Sequence, residues 1–164
     1  MMSFLNFILV LATLATALIA GLFYAYSCSV NPGLSELSDS EYIKAMQSIN
    51  IAIVNPVFLS SFLGTLLLLP LSTYFVYQDG LSDRFWLLFA ATLLYWIGTF
   101  GVTIFGNIPL NDALADFNTS AASAEAVSQQ RGKFELPWNR LHQIRTIASF
   151  SSLTLAIIAC VLHK

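Results

Sequence analysis

Charge is what this sequence has least of. Only 10% of its 164 residues are Asp, Glu, Lys or Arg, against roughly a quarter in an ordinary soluble domain. The seven Lys and Arg residues are scattered and the formal net charge is −2. No basic stripe of the kind nucleic acid needs can form, so nucleic acid is excluded as a partner. There are two cysteines, Cys28 at the end of the first apolar run and Cys160 near the end of the last. A hydrocarbon core about 30 Å thick would separate them, far beyond disulfide reach. The two histidines do not form a metal motif either: His142 has no second histidine at i+3 or i+4, and His163 belongs to the far side. His142, Asp112 and Cys28 share a side, but nothing in their spacing specifies a metal site. Also missing are a phosphate-cradling glycine loop, a C-x-x-C-H haem attachment and a nucleophile elbow.

What is present is apolar. Hydrophobic residues make up 57% of the chain and mean hydropathy is +0.72, the composition of an integral membrane protein. Crossing a hydrocarbon core takes about 20 residues, and four runs qualify: 4–26, 56–76, 85–105 and 146–162. The last is short, and becomes comfortable only if its helix begins near Pro137, giving a span of about 137–162. The first run has no Lys or Arg before it and is too long for a signal-peptide core, so it reads as a membrane helix. The fold expected is all-α: one domain, 1–164, an integral membrane four-helix bundle with an extra amphipathic helix in the first long loop.

An even number of spans puts both termini on one side and both long connections, 27–55 and 106–136, on the other. The long-loop side carries Lys44, Arg131, Lys133, Arg140 and Arg145, against Arg84 and Lys164 opposite, and the positive-inside rule makes the long loops cytoplasmic. In the first connection, Ser38 and Glu41 have capping-box spacing, followed by Tyr42, Ile43, Met46, Ile49 and Ile53 along one side of a helix. Gln47 and Asn50 share another face, and serve either ligand contact or helix bridging. The second connection opens with GNIPLNDA. Gly106 is placed to end the third helix, and Asn107 and Pro109 to start a short one carrying Asn111 and Asp112. From 119 to 130 the chain reads as a solvated excursion, helical or irregular, with little chemistry. Ala17, Gly21 and Ala25, Ser60 and Gly64, and Gly98 and Gly101 read as helix-packing surfaces. Pro70 should kink the second helix.

The stretch with most chemistry is FELPWNRLHQIRT, residues 134–146. With Pro137 in the first turn of a helix, Trp138, His142, Arg145 and Ser149 fall on one stripe, and Asn139 flanks it. Intramembrane histidine and arginine are costly and usually line a cavity or meet a partner. The alternative is an interfacial anchor, with Trp138 in the aromatic belt and the arginines reaching for head groups.

Together, GLFYA (21–25), Pro32-Gly33-Leu34, AMQSIN (45–50), Asn55-Pro56, GNIPLN (106–111) and WNRLHQIRT (138–146) resemble the anthrone oxygenase-like membrane family. That resemblance implies oxidation of an anthrone-like, apolar aromatic substrate by O₂ with no bound cofactor. Such chemistry needs a base near neutrality to turn the substrate into an electron-rich anion, and His142 is the histidine placed to serve. Arg145 would stabilise the oxyanion. Asn50, Asn107, Asn111, Asn139 and Gln47 would orient hydroxyl or carbonyl groups, with Tyr24, Tyr26 and Trp138 as flat walls. The partners expected are the apolar substrate and membrane lipid, with room left for a homo-oligomer. The competing expectation is a non-catalytic membrane interaction or small-molecule-binding subunit.

Overall fold

The first long helix begins at Phe4 and does not stop where the apolar run stops. In the computed structural model, which describes residues 4–162, helix α1 (Phe4–Ala25) passes into a π-helical turn, Tyr26–Val30, and then α2 (Asn31–Ser35). The other elements are α3 (Asp39–Ala52), α4 (Pro56–Tyr77), α5 (Asp83–Leu93), α6 (Ile108–Ala115) and α7 (Ala124–Val161). Two further π-helical stretches, Leu94–Gly101 and Thr103–Asn107, join α5 to α6. No strand occurs among the described residues. His163 and Lys164, read above as lying on the far side, are outside them.

Four continuous helical segments are long and apolar enough to cross a membrane: Phe4–Ser35, Pro56–Tyr77, Asp83–Ala115 and Ala124–Val161. They close into a ring in which α1 packs on α4 and α7, and α5 packs on the same two. Ala12, Ile19, Phe62, Leu69, Tyr95 and Ala156 form the middle of the core. Leu9, Val76, Leu88 and Ala159 close one end. At the other end Tyr42, Ile43 and Met46 of α3 pack with Leu114, Val127, Phe134 and Trp138. The amphipathic helix of the first long loop is therefore α3, laid across the bundle mouth. Leu14, Leu18, Leu67, Ile97 and Ile147 point outward, as apolar side chains facing lipid do.

Local signals in the sequence account for several helix starts. Asn55 Oδ1 accepts from the backbone N–H groups of Val57 and Phe58, both at 3.0 Å, and Pro56 follows at the first helical position. Asn55 satisfies two N–H groups that a helix N-terminus leaves unpaired, and Pro56 has no N–H to leave so. At α3, Glu41 Oε2 accepts from the Ser38 backbone N–H at 3.2 Å and from its hydroxyl at 2.6 Å. Those bonds hold the Glu41 carboxyl below its ordinary range.

Three expectations are corrected. Pro137 lies in the interior of α7 and not in its first turn, because the helix begins at Ala124, within the stretch for which a helix was one alternative. Ser123 caps that start through Ala126 N–H, and Val127 and Phe134 are buried in the mouth cluster. Packing of this kind outweighs the ~3 kcal/mol an interior proline costs. Gly106 does not end the third helix. The chain runs helically through it, and α7 packs closely over the glycine: a Cβ there would stand 2.9 Å from Leu141 Cδ1. Finally, a Cβ at Gly21 or Gly64 would meet nothing within 4 Å, so these two glycines are not close-packing contacts, whereas Ala12 and Ala20 of α1 are buried in the bundle. Gly98 does pack closely, against Ala148.

Two of the three π-helical stretches precede a proline. Tyr26–Val30 ends two residues before Pro32, and Thr103–Asn107 two before Pro109. A proline ring collides with the carbonyl four residues back. Widening the preceding turn, so that Asn31 N–H bonds Tyr26 O and Ile108 N–H bonds Thr103 O, moves that carbonyl aside. These widened turns carry Tyr26, Ser27 and Asn107, which meet α7 near His142.

Candidate functional site

His142 sits on α7 at 1% exposure, and both ring nitrogens are engaged. Arg145, one turn on, donates its Nε–H to His142 Nδ1 at 3.1 Å. An acceptor nitrogen carries no proton, so the hydrogen of the neutral ring is on Nε2. Nε2 stands 3.0 Å from Ser27 Oγ, and the Ser27 hydroxyl donates onward to Phe23 O at 3.0 Å. The result is a directed chain: guanidinium to Nδ1, Nε2–H to Ser27, Ser27 to the α1 backbone. Thr146 Oγ1 lies 3.4 Å from Nε2 and donates to His142 O at 2.7 Å.

Aromatic rings enclose this chain. Trp138 stacks on the imidazole with centroids 5.1 Å apart and planes 13° from parallel. Phe23 meets it edge-on at 5.6 Å, and Tyr26 is tilted at 5.7 Å. The half-buried Arg145 guanidinium lies between Phe23 and Trp138, 4.4 and 5.0 Å from their ring centroids. A cation held over two ring faces is stabilised where no carboxylate is near. The Arg145 backbone carbonyl accepts from Thr99 at 3.4 Å.

Trp138 is fixed in turn by two of the predicted asparagines. Asn111 Oδ1 accepts the indole N–H at 2.8 Å, and Asn107 Nδ2 donates to Trp138 O at 3.3 Å. Asn107 Oδ1 is buried without a partner, as are Asn139 Oδ1 and Asn50 Nδ2. Buried polar atoms are seldom left unpaired. Three unpaired amide atoms on α3, α7 and the turn before α6 are places where a ligand's hydroxyl or carbonyl could bond.

Two predicted residues are placed elsewhere. Gln47 spends its amide on Leu114 O and Phe117 O, at 2.8 and 2.9 Å, so it joins α3 to the end of α6, the bridging alternative raised from sequence. Tyr24 is 57% exposed and pairs with Phe150 on the outer surface, because one residue around α1 from Phe23 the helix face already turns to lipid. Ser27, Phe23, Thr146 and Thr99 were not predicted. Ser27 had a signal: it is a hydroxyl at the end of the first run, on the side that also holds His142.

Among the described residues no group of three His, Cys, Asp or Glu side chains could hold a metal. Cys28 is exposed and free. An apolar groove of about 490 Å³, lined by Trp96, Ile97, Gly101, Val102, Phe105, Gly106 and Leu141, runs along the lipid-facing side where the third segment meets α7.

The fold and this cluster define a class: a helical membrane protein whose bundle mouth encloses a histidine–arginine pair in aromatic rings. Within that class, the family model for anthrone oxygenase matches residues 55–155, more than half of the chain, and the chain belongs to that family. The matched region includes GNIPLN and WNRLHQIRT, while GLFYA and AMQSIN precede it. No curated protein and no solved structure matches the chain.

Proposed function

We propose that the protein oxidises an apolar aromatic substrate of the anthrone kind with O₂, without a bound cofactor, at the His142–Arg145 pair. One observation carries this reading: an imidazole and a guanidinium bonded at 3.1 Å, walled by three aromatic rings at the mouth of a membrane bundle. Family membership supports it. His142 Nδ1 takes a proton from the ring CH₂ or its enolic oxygen, and Arg145 pairs with the oxyanion. The electron-rich anion passes one electron to O₂, and the substrate radical and superoxide combine to form a C–O bond. The peroxide takes the proton back from His142. Loss of the second C–H proton with hydroxide then leaves a ketone and water. One oxygen atom enters the product and the other leaves in water, so anthrone and O₂ give anthraquinone and H₂O.

Arg145 covers the lone pair that this reaction needs. Nδ1 can accept a proton only once the guanidinium has turned to the substrate oxygen, which selects for substrates that present one. Asn107, Asn139 and Asn50 offer their unpaired amide atoms to substrate oxygens, and Asn111 acts by holding Trp138. Lipid would deliver the apolar substrate.

A second reading is favoured by the burial of the histidine and the ring stacked on it: His142 at 1% and Trp138 at 3% exposure fit a polar cluster that locks helices in a non-catalytic subunit. O₂ uptake by the purified protein with an anthrone decides between them, with metal analysis of the same sample. Uptake that depends on His142 supports the enzyme; none from folded protein leaves the second reading. We further propose that both termini lie on one face and the long connections on the other, which is cytoplasmic. Terminal tags found on opposite faces would refute this.

A further inference from the structure

We infer that Ser27 is a positioning residue which sets the tautomer of His142, keeping the basic lone pair on Nδ1 beneath Arg145. The inference deepens the oxygenase reading and rests on it for its catalytic meaning, though its structural half stands alone. A neutral imidazole has one N–H and one lone pair, and which nitrogen holds which is decided by the partners. Arg145 can only donate, so its 3.1 Å bond requires the lone pair on Nδ1. Ser27 completes the arrangement from the other side. Its own hydrogen is committed to Phe23 O, so toward Nε2 at 3.0 Å its oxygen can only accept.

Ser27 can take that part because the π-helical turn Tyr26–Val30 starts one residue before it. It remains bonded to Phe23 O, four residues back, while its oxygen reaches α7. Were Ser27 absent, the Phe23 carbonyl would be freed beside the ring as one acceptor, and Thr146 Oγ1 would stand 3.4 Å from Nε2. The Thr146 hydroxyl hydrogen is spent on His142 O, so it too can accept, at longer range. The backup makes a definite expectation: losing Ser27 weakens the tautomer preference without inverting it.

The experiment uses ¹⁵N-histidine-labelled protein in lipid nanodiscs, with His163→Gln to leave one histidine signal. The ¹⁵N shifts of His142 should report Nε2–H and a bare Nδ1. Ser27→Ala should give a mixture of tautomers, and Ser27→Thr, which restores the hydroxyl, should return the single form. In O₂ uptake with an anthrone, Ser27→Ala should lower kcat with little change in KM, and Ser27→Thr should recover it. Outer partners that orient a histidine at metal sites are worth roughly 10- to 100-fold, and a fall of that order in kcat is expected. An Nδ1–H tautomer in the unsubstituted protein overturns the inference, as does a Ser27→Ala spectrum indistinguishable from it. If no anthrone drives O₂ uptake but the spectra behave as described, the oxygenase reading fails and the positioning role stands.

Discussion

Trp96 donates its indole N–H to the carbonyl of Leu66 at 2.9 Å, and Leu66 is four residues before Pro70. That carbonyl is the one a proline at position 70 leaves without its helical N–H. In hydrocarbon an unpaired carbonyl costs several kcal/mol, and an indole from the third segment supplies the missing donor. α4 consequently runs unbroken through Pro70, from Pro56 to Tyr77.

The pairing predicts coupling. Trp96→Phe should destabilise the bundle, and should do so less in a Pro70→Ala background, where Leu66 O regains its own N–H. A coupling on the order of 1 kcal/mol is expected, near the upper range of side-chain hydrogen bonds measured in membranes. Unfolding of the two single variants and the double variant in detergent measures it. Strict additivity would mean that the indole is not replacing the lost bond.

The four spans were legible because their signal is cumulative: about 20 consecutive apolar residues cannot easily mean anything else. Asn55-Pro56 and Ser38-x-x-Glu41 marked helix starts because capping is local, satisfied within four residues. Gly106 and Pro137 misled for the complementary reason. Each looks like a local stop or start signal, yet Leu141 and the mouth cluster, more than thirty residues away or on other helices, decide the outcome. At the site, the His142–Arg145 pairing was readable as i,i+3 spacing on one helix. The partner on the other nitrogen, Ser27, lies 115 positions away and leaves no periodic trace.

Gly98 offers a test of which small residues pack. A Cβ at this position would fall 2.5 Å from Ala148 Cβ, so Gly98→Ala must push α7 from the third segment. Overpacking of this kind costs about 1–3 kcal/mol. Gly21→Ala and Gly64→Ala meet nothing within 4 Å and should be neutral or stabilising by about 0.5–1 kcal/mol, the helical preference for alanine. Thermal unfolding of the three variants in one detergent ranks them, and a Gly98→Ala protein as stable as Gly21→Ala would contradict this packing.

Arg131 should govern the order of the loop before α3. Its guanidinium donates to Ser35 O and Leu37 O at 2.9 and 2.8 Å, pairs with Asp39 at 3.0 Å and Glu135 at 2.7 Å, and lies 4.6 Å over the Tyr42 ring. Burial pushes the Tyr42 hydroxyl up from its ordinary range, so the ring beneath the cation stays neutral. Arg131→Lys keeps the charge but cannot reach two carbonyls and two carboxylates from one ammonium. Faster amide exchange over 35–46 is expected for Arg131→Lys and more so for Arg131→Ala, with the core of α4 unchanged. Equal protection in all three proteins would remove Arg131 from this role.

The sharpest prediction concerns His142 and the variant chosen to test it. His142→Ala would open a cavity among three rings and leave Arg145 Nε–H without its acceptor, so lost activity could mean lost packing. His142→Gln avoids that confusion. A glutamine amide has an oxygen that can accept from Arg145 and an NH₂ that can donate to Ser27, yet it cannot take up a proton near neutral pH. If His142 is the base, His142→Gln stays folded and turnover of an anthrone falls by about 10²- to 10⁴-fold, the usual worth of general-base catalysis. Arg145→Lys, which retains charge but not the planar fork, should fall by about 10²- to 10³-fold, as for loss of an oxyanion donor. If His142 merely anchors α7 to α1, His142→Gln would turn over substrate as the unsubstituted protein does, and the base would have to be another group. O₂ uptake by variants shown to unfold at the temperature of the unsubstituted protein separates these outcomes.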